Sequence, residues 1–208
     1  MAGIWKIGLT GGIASGKSVA GNILRDLGAP VIDCDKLARE VIEPGRPANE
    51  LLCRAFGAEY FDSKGRLDRV KLARLIFDDE YKRQQLEAII HPAVQQAVEE
   101  QLAALERSGA LAAIIDIPLL FEVGWQNIVD EVWLVWVPPV IQRQRLSERD
   151  GFNETEINGR LKAQDSLDDK RQLVDVVIDN SGSFDSTKNQ LTIAWRAIMK
   201  KISDGKNI

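Results

Sequence analysis

Two cysteines, Cys34 and Cys53, are too few for a disulfide framework and lie at no metal-ligand spacing, so they read as reduced thiols. A single histidine, His91, leaves an imidazole metal site without a second ligand of its kind. No apolar run reaches the length of a membrane span, and the first residues lead into a strand with no signal-peptide core. A basic excess is missing as well. Lys and Arg number 27 against 31 Asp and Glu, and the net charge of −4 offers no general attraction to nucleic acid or to an anionic membrane. Repeats and low-complexity segments are absent. These absences point to a cytoplasmic protein. Its 208 residues exceed one modal domain but are short for two independent ones, which favours one α/β core with inserted substructures.

What is present begins with Gly11-Gly12-Ile13-Ala14-Ser15-Gly16-Lys17-Ser18, a complete G-x-x-x-x-G-K-[ST] phosphate loop between an apolar run and a helical pattern. Successive backbone N–H groups must turn inward around a polyphosphate, which calls for residues without Cβ at Gly11, Gly12 and Gly16. Lys17 then reaches the β and γ phosphates and the Ser18 hydroxyl ligates Mg²⁺. The helix that follows adds the positive end of its dipole. Lys17, on a loop, is expected to be exposed and to contribute little packing.

Short apolar runs at 5–10, 30–33, 111–117, 131–137 and 174–179 read as buried strands of a parallel sheet. Residues 18–27 read as a helix stopped at Gly28. Between 36 and 109 no core strand appears. The pattern there predicts helices around Leu37 to Ile42 and Leu51 to Ala55, and over 70–77, 81–90 and 93–105, the last starting after His91-Pro92. A parallel crossover needs only one helix, so 36–109 is expected to be a helical insert that carries the second substrate.

Residues 140–170 are predicted helical and rich in arginine. Arg145 and Arg149 lie four apart on one face, where like charges repel by a few tenths of a kcal/mol unless an anion sits against them. Glu148, Asp150 and Glu154 could neutralise them as an ordinary solvated face. Beside a phosphate loop, a cationic flap closing over a triphosphate is the stronger reading. Asp33 ends the second strand, where it can orient and deprotonate an acceptor hydroxyl, hold the Mg²⁺ shell through water, or cap a helix starting at Lys36; Asp35 could fill the cap equally well. Asp116 ends the third strand in the manner of a carboxylate supporting Mg²⁺. The five tryptophans read as core.

The ordered set resembles the dephospho-coenzyme A kinase family. It comprises Gly8 to Ser18, Val31-Ile32-Asp33-Cys34-Asp35 with Ala38-Arg39, Ile90-His91-Pro92 and Pro118-Leu119-Leu120-Phe121-Glu122. Arg145 and Arg149 before Asp150, Gln164, and Val177 to Gly182 complete it. The resemblance implies a three-layer α/β P-loop fold of the nucleoside monophosphate kinase type, with a five-stranded parallel sheet, a helical substrate domain and a helical lid. The nucleotide core would be 1–35 with 110–142 and 171–208, the substrate domain 36–109 and the lid 143–170. The implied reaction is transfer of the ATP γ-phosphate to the ribose 3′-hydroxyl of dephospho-coenzyme A, with Mg²⁺, by a cytoplasmic monomer. Catalysis falls to Lys17, Asp33 and Arg149. ATP contacts fall to Gly12, Ile13, Ala14, Ser15, Gly16, Lys17, Ser18, Val19, Arg145 and Asn180. Acceptor contacts fall to Asp33, Asp35, Arg39, His91, Pro118 and Leu119, and the metal to Ser18 and Asp116. Another small-molecule or nucleotide kinase of the same architecture, or a nucleotide-dependent switch, remain the alternatives; two arginines on a flap favour a kinase, because a switch commonly borrows its arginine from a partner.

Overall fold

The computed structural model describes residues 3–77 and 79–205. The chain divides into two compact units, one running up to Ile32 and resuming at Ala104, the other Asp33–Ala103.

The first unit is built on a five-stranded sheet of β1 (Trp5–Gly11), β2 (Val31–Asp33), β3 (Ala112–Asp116), β4 (Glu131–Trp136) and β5 (Val176–Asp179). The order is β2-β3-β1-β4-β5 and the sheet is parallel throughout. β1 is central and pairs with β3 through Trp5 with Ala112 to Leu9 with Asp116, and with β4 through Ile7 with Glu131 to Gly11 with Val135. All five residues of β3 are buried, the continuous apolar signature of a strand covered on both faces. Helix α1 (Lys17–Asp26) buries Ile23 and Leu24 together with Ile7 and Leu9 of β1. The final helix, Phe184–Ser203, adds Leu191, Trp195 and Ile198 to the same cluster. Each such side chain contributes roughly 1.5–3 kcal/mol by leaving water. Trp133 and Val135 of β4 face that cluster while Leu134 between them packs with Val137 and Leu167, as the two-residue period of a strand requires.

The second unit is helical: α2 (Cys34–Glu40), α3 (Pro47–Phe56), α4 (Arg69–Phe77) and most of α5 (Glu80–Arg107). Its core is Ile42, Ala48, Leu52, Phe56 and Leu72, flanked by Leu86, Ile89, Ile90 and Ala93. Two helices were expected across His91-Pro92, but α5 runs through them as 28 residues with Pro92 inside. An internal proline removes one helical bond and costs about 3 kcal/mol. The buried stripe is continuous past it, from Leu86 and Ile90 to Val94, Val98 and Leu102, and ending the helix there would expose its second half. α2 likewise starts at Cys34 rather than Lys36 and closes at Glu40.

After β4, α6 (Pro139–Asp150), α7 (Glu154–Lys162) and α8 (Leu167–Lys170) occupy the arginine-rich stretch; with the final helix numbered α9, the count is complete among the described residues. α7 carries a full capping box between Asn153 and Glu156.

Candidate active site

β1 delivers the chain into the phosphate loop, and α1 takes it away. Gly16 caps α1 at φ 89° with no side-chain cap and no acidic residue in the first turn, so the helix terminus keeps its electropositive end for an anion. Glycine at 11 and 12 answers to packing as well as to a ligand. A Cβ at Gly11 would meet Ser15 Oγ at 2.6 Å and Val135 O at 3.0 Å; one at Gly12 would meet Gln142 Nε2 and Leu167 at 3.1 Å.

Lys17 is not the exposed loop residue expected. Its side chain is 13% exposed and its Nζ is paired with Asp116 Oδ1, itself 8% exposed. Asp116 therefore stands at the end of β3 holding the lysine that a triphosphate would claim. Ser18 and Val19 are exposed at the start of α1. Thr10 Oγ1 donates to Pro118 O at 3.2 Å, tying the segment after β3 to the end of β1; Leu119 beside it is 39% exposed.

The arginines are not uncompensated cations. Arg145, half-buried on α6, donates to Ala14 O at 3.2 Å, Ser15 O at 3.3 Å and Asn180 O at 2.8 Å. Arg149, one turn on, is exposed and makes a two-pronged bond to the adjacent Asp150, at 2.9 and 2.8 Å. That guanidinium holds the Asp150 carboxyl below its usual range, chiefly through the hydrogen bond, and Asp150 raises Arg149 in turn. Asn180 is buried, its Nδ2 donating to Ser15 O at 2.7 Å and its Oδ1 accepting from Thr187 Oγ1 at 2.8 Å. A cleft of about 490 Å³ lies against Ala14, Gly16, Val19, Arg145, Arg149 and Asn180. Five of the ten expected ATP contacts thus share one cleft with Arg149. Sequence reasoning gave no part to Gln142, whose Nε2 donates to Ile13 O at 2.8 Å, or to Thr187. Gln142 lies one helical turn before Arg145, which is the signal that could have found it.

In the unit Asp33–Ala103, the Asp33 carboxylate caps α2, its Oδ1 accepting from Lys36 N at 2.9 Å. Of the two carboxylates that could cap this helix, Asp33 takes the role. A separate cavity of about 290 Å³ is lined by Asp35, Arg39 and Arg69 over an apolar floor including Ile42, Leu72 and Ile90. His91 follows Ile90 on α5 and is half-buried.

A parallel sheet ordered in this way, with a phosphate loop and uncapped helix after its central strand, defines the P-loop nucleotide-binding class. The dephospho-CoA kinase family model matches residues 5–186. A dephospho-CoA kinase from Shouchella clausii is 47% identical over 89% of this chain and 94% of its own length. One from Symbiobacterium thermophilum is 46% identical over 92% of this chain and 80% of its own length. A solved structure from Thermus thermophilus superposes with a TM-score of 0.80 at 36% identity, covering 96% of this chain and 98% of its own. The chain belongs to the dephospho-CoA kinase family.

Proposed function

We propose that this protein transfers the γ-phosphoryl group of ATP to the ribose 3′-hydroxyl of dephospho-CoA, giving CoA and ADP in the last step of CoA biosynthesis. The observation that carries this reading is the family match over 5–186, which spans both the phosphate loop and the whole helical unit. The cleft beside Ala14 and Asn180 receives ATP. The cavity of the helical unit, with Arg39 and Arg69 over an apolar floor, suits an acceptor that is anionic at one end and apolar at the other. We assign Asp33–Ala103 as the acceptor domain, with Asp35, Arg39, His91, Pro118 and Leu119 contacting the acceptor, and 143–170 as the lid.

Lys17 exchanges Asp116 for β and γ phosphate oxygens when the triphosphate binds, so its charge is available without first being stripped of bulk water. Arg149 leaves Asp150 for the equatorial oxygens of the transferring group, as Arg145 and Asn180 hold the loop and border the base. Asp33, with one oxygen already bonded to Lys36 N, accepts the 3′-hydroxyl proton as the oxygen attacks phosphorus and the β–γ bond breaks.

The donors present fit Mg²⁺. Ser18 Oγ and the Asp116 carboxylate are hard oxygens at the loop, and no group of three acidic, His or Cys side chains among the described residues forms a closed cage, as suits an ion held partly by substrate phosphates. Bound there, the ion would neutralise charge on the β and γ oxygens.

The enzyme is read as a monomer. The reduced thiols Cys34 and Cys53 suit a reducing cytoplasm. No helix among the described residues is long and apolar enough to cross a membrane.

Following ADP release from Mg-ATP with and without dephospho-CoA tests the proposal. ADP and CoA appearing only with the acceptor support it. Equal ATP turnover in both samples marks a switch, and turnover restored only by a different small alcohol marks another kinase.

A further inference from the structure

Ala14 is the only non-glycine among the described residues with positive φ, at 58°. For an L-residue this left-handed conformation costs roughly 1–2 kcal/mol, so something must hold it. The loop's own turn bond, Ser15 N to Gly12 O at 3.1 Å, does not involve the polar groups of Ile13. Those are taken by two glutamines. Gln142 Nε2 donates to Ile13 O at 2.8 Å, and Gln164 Oε1 accepts from Ile13 N at 2.9 Å.

In a planar trans peptide the C=O and the next N–H point in opposite directions. Holding Ile13 C=O outward therefore aims Ala14 N–H inward, toward the space a phosphate would fill. The competing state is a flip of the Ile13–Ala14 peptide. The flip moves Ala14 φ to the negative side that alanine prefers, but turns the carbonyl inward and the N–H away. The same logic runs along the loop, because Arg145 and Asn180 hold Ser15 C=O and so orient Gly16 N–H. Gln142 is 6% exposed, packed where Gly12 leaves no room for a Cβ, and is not free to swing away.

We infer that Gln142 and Gln164 are positioning residues for nucleotide binding. They clamp the two polar groups of Ile13 from α6 and from the turn after α7, and Gln142 thereby blocks the peptide flip that Ala14 would otherwise favour. The inference rests on the nucleotide reading of the loop and not on the identity of the acceptor.

The test measures the dissociation constant of a non-hydrolysable ATP analogue with Mg²⁺, with no acceptor present. Gln142→Met keeps the volume and removes the donor. Affinity should fall about fivefold to tenfold, the worth of one buried hydrogen bond, with circular dichroism showing an intact fold. Ala14→Gly abolishes alanine's preference for the flipped state, so it should improve affinity by a clearly larger factor in the Gln142→Met background than in the wild-type background. Gln164→Met, at a half-buried position, should also cost about fivefold, and it serves alone if Gln142→Met does not fold. Unchanged affinity in a folded glutamine variant overturns the inference, as does an equal factor from Ala14→Gly in both backgrounds. A wild-type protein that fails to bind the analogue overturns the nucleotide reading instead.

Discussion

The phosphate loop and α8 each bury a lysine against a carboxylate, and the two pairs differ in what surrounds them. Lys17 and Asp116 lie where β1 and β3 end, beside a helix terminus left uncapped by any side chain. Lys170, 2% exposed on α8, bonds Glu122 at 2.5 Å in a segment otherwise anchored by apolar and aromatic contacts. Leu167 packs on Leu134 and Val137, Asp168 accepts from Trp136 Nε1 at 2.9 Å, and Arg171 stacks over the Trp136 ring. A buried ion pair is seldom worth more than an apolar replacement, yet removing one member leaves a charge uncompensated. In the proposed mechanism the first pair exchanges partners when the triphosphate arrives. The second lies outside the linings of both cavities, and ties α8 to Glu122. Burying a lysine thus marks a site only where a replacement anion has a way in.

The largest expected effect tests the exchangeable pair. Lys17→Ala should lower turnover by about a thousandfold or more, because one preorganised cation at the transferring phosphate is lost. Some loss of thermal stability should accompany it, since Asp116 loses its lysine; near-normal turnover would erase the distinction between the pairs.

Lys170→Met should behave in the opposite way. Denaturant unfolding should show a loss of about 3 kcal/mol, from Glu122 left without its cation, while KM for ATP stays within about twofold per folded molecule. A large rise in KM with unchanged stability would make Lys170 part of the nucleotide site.

Asp33→Asn comes next. Asn caps a helix as well as Asp does, so α2 should be as stable as before, while kcat falls by about a hundredfold with ATP affinity unchanged. Activity per folded molecule that survives the change would reduce Asp33 to its cap.

The smallest effect is a titration. The folded-state pKa of Asp150 is depressed, so its pairing with Arg149 contributes above the unfolded value of about 3.9 and is lost as pH falls through the lower folded one. If Arg149 leaves for the triphosphate, Asp150 should titrate nearer its ordinary value once an ATP analogue and Mg²⁺ are bound, seen by carboxyl NMR. A titration unmoved by nucleotide would leave Arg149 paired with Asp150 throughout.

The sheet was legible because its strands are continuous apolar runs, and β3 lies within the expected 111–117 with every residue buried. The phosphate loop was legible because its chemistry is local, one backbone turn needing fixed residues at fixed spacing. Pro92 misled, since proline's local preference for a helix start was overruled by a buried stripe running from Leu86 to Leu102. The arginines misled in their compensation: four-residue spacing places Arg145 and Arg149 on one face, but says nothing of carbonyls more than a hundred residues away that one of them meets.

The sequence by itself determined the parallel α/β core, the phosphate loop and the family, since hydrophobic period and turn chemistry act within a few residues. The tertiary structure alone decided which side chains the loop would answer to. Asp116 for Lys17, Gln142 and Gln164 for Ile13, and Asn180 for Ser15 each join residues about a hundred or more apart. No local pattern encodes such pairs, because packing brings them together only after the sheet has set its strand order.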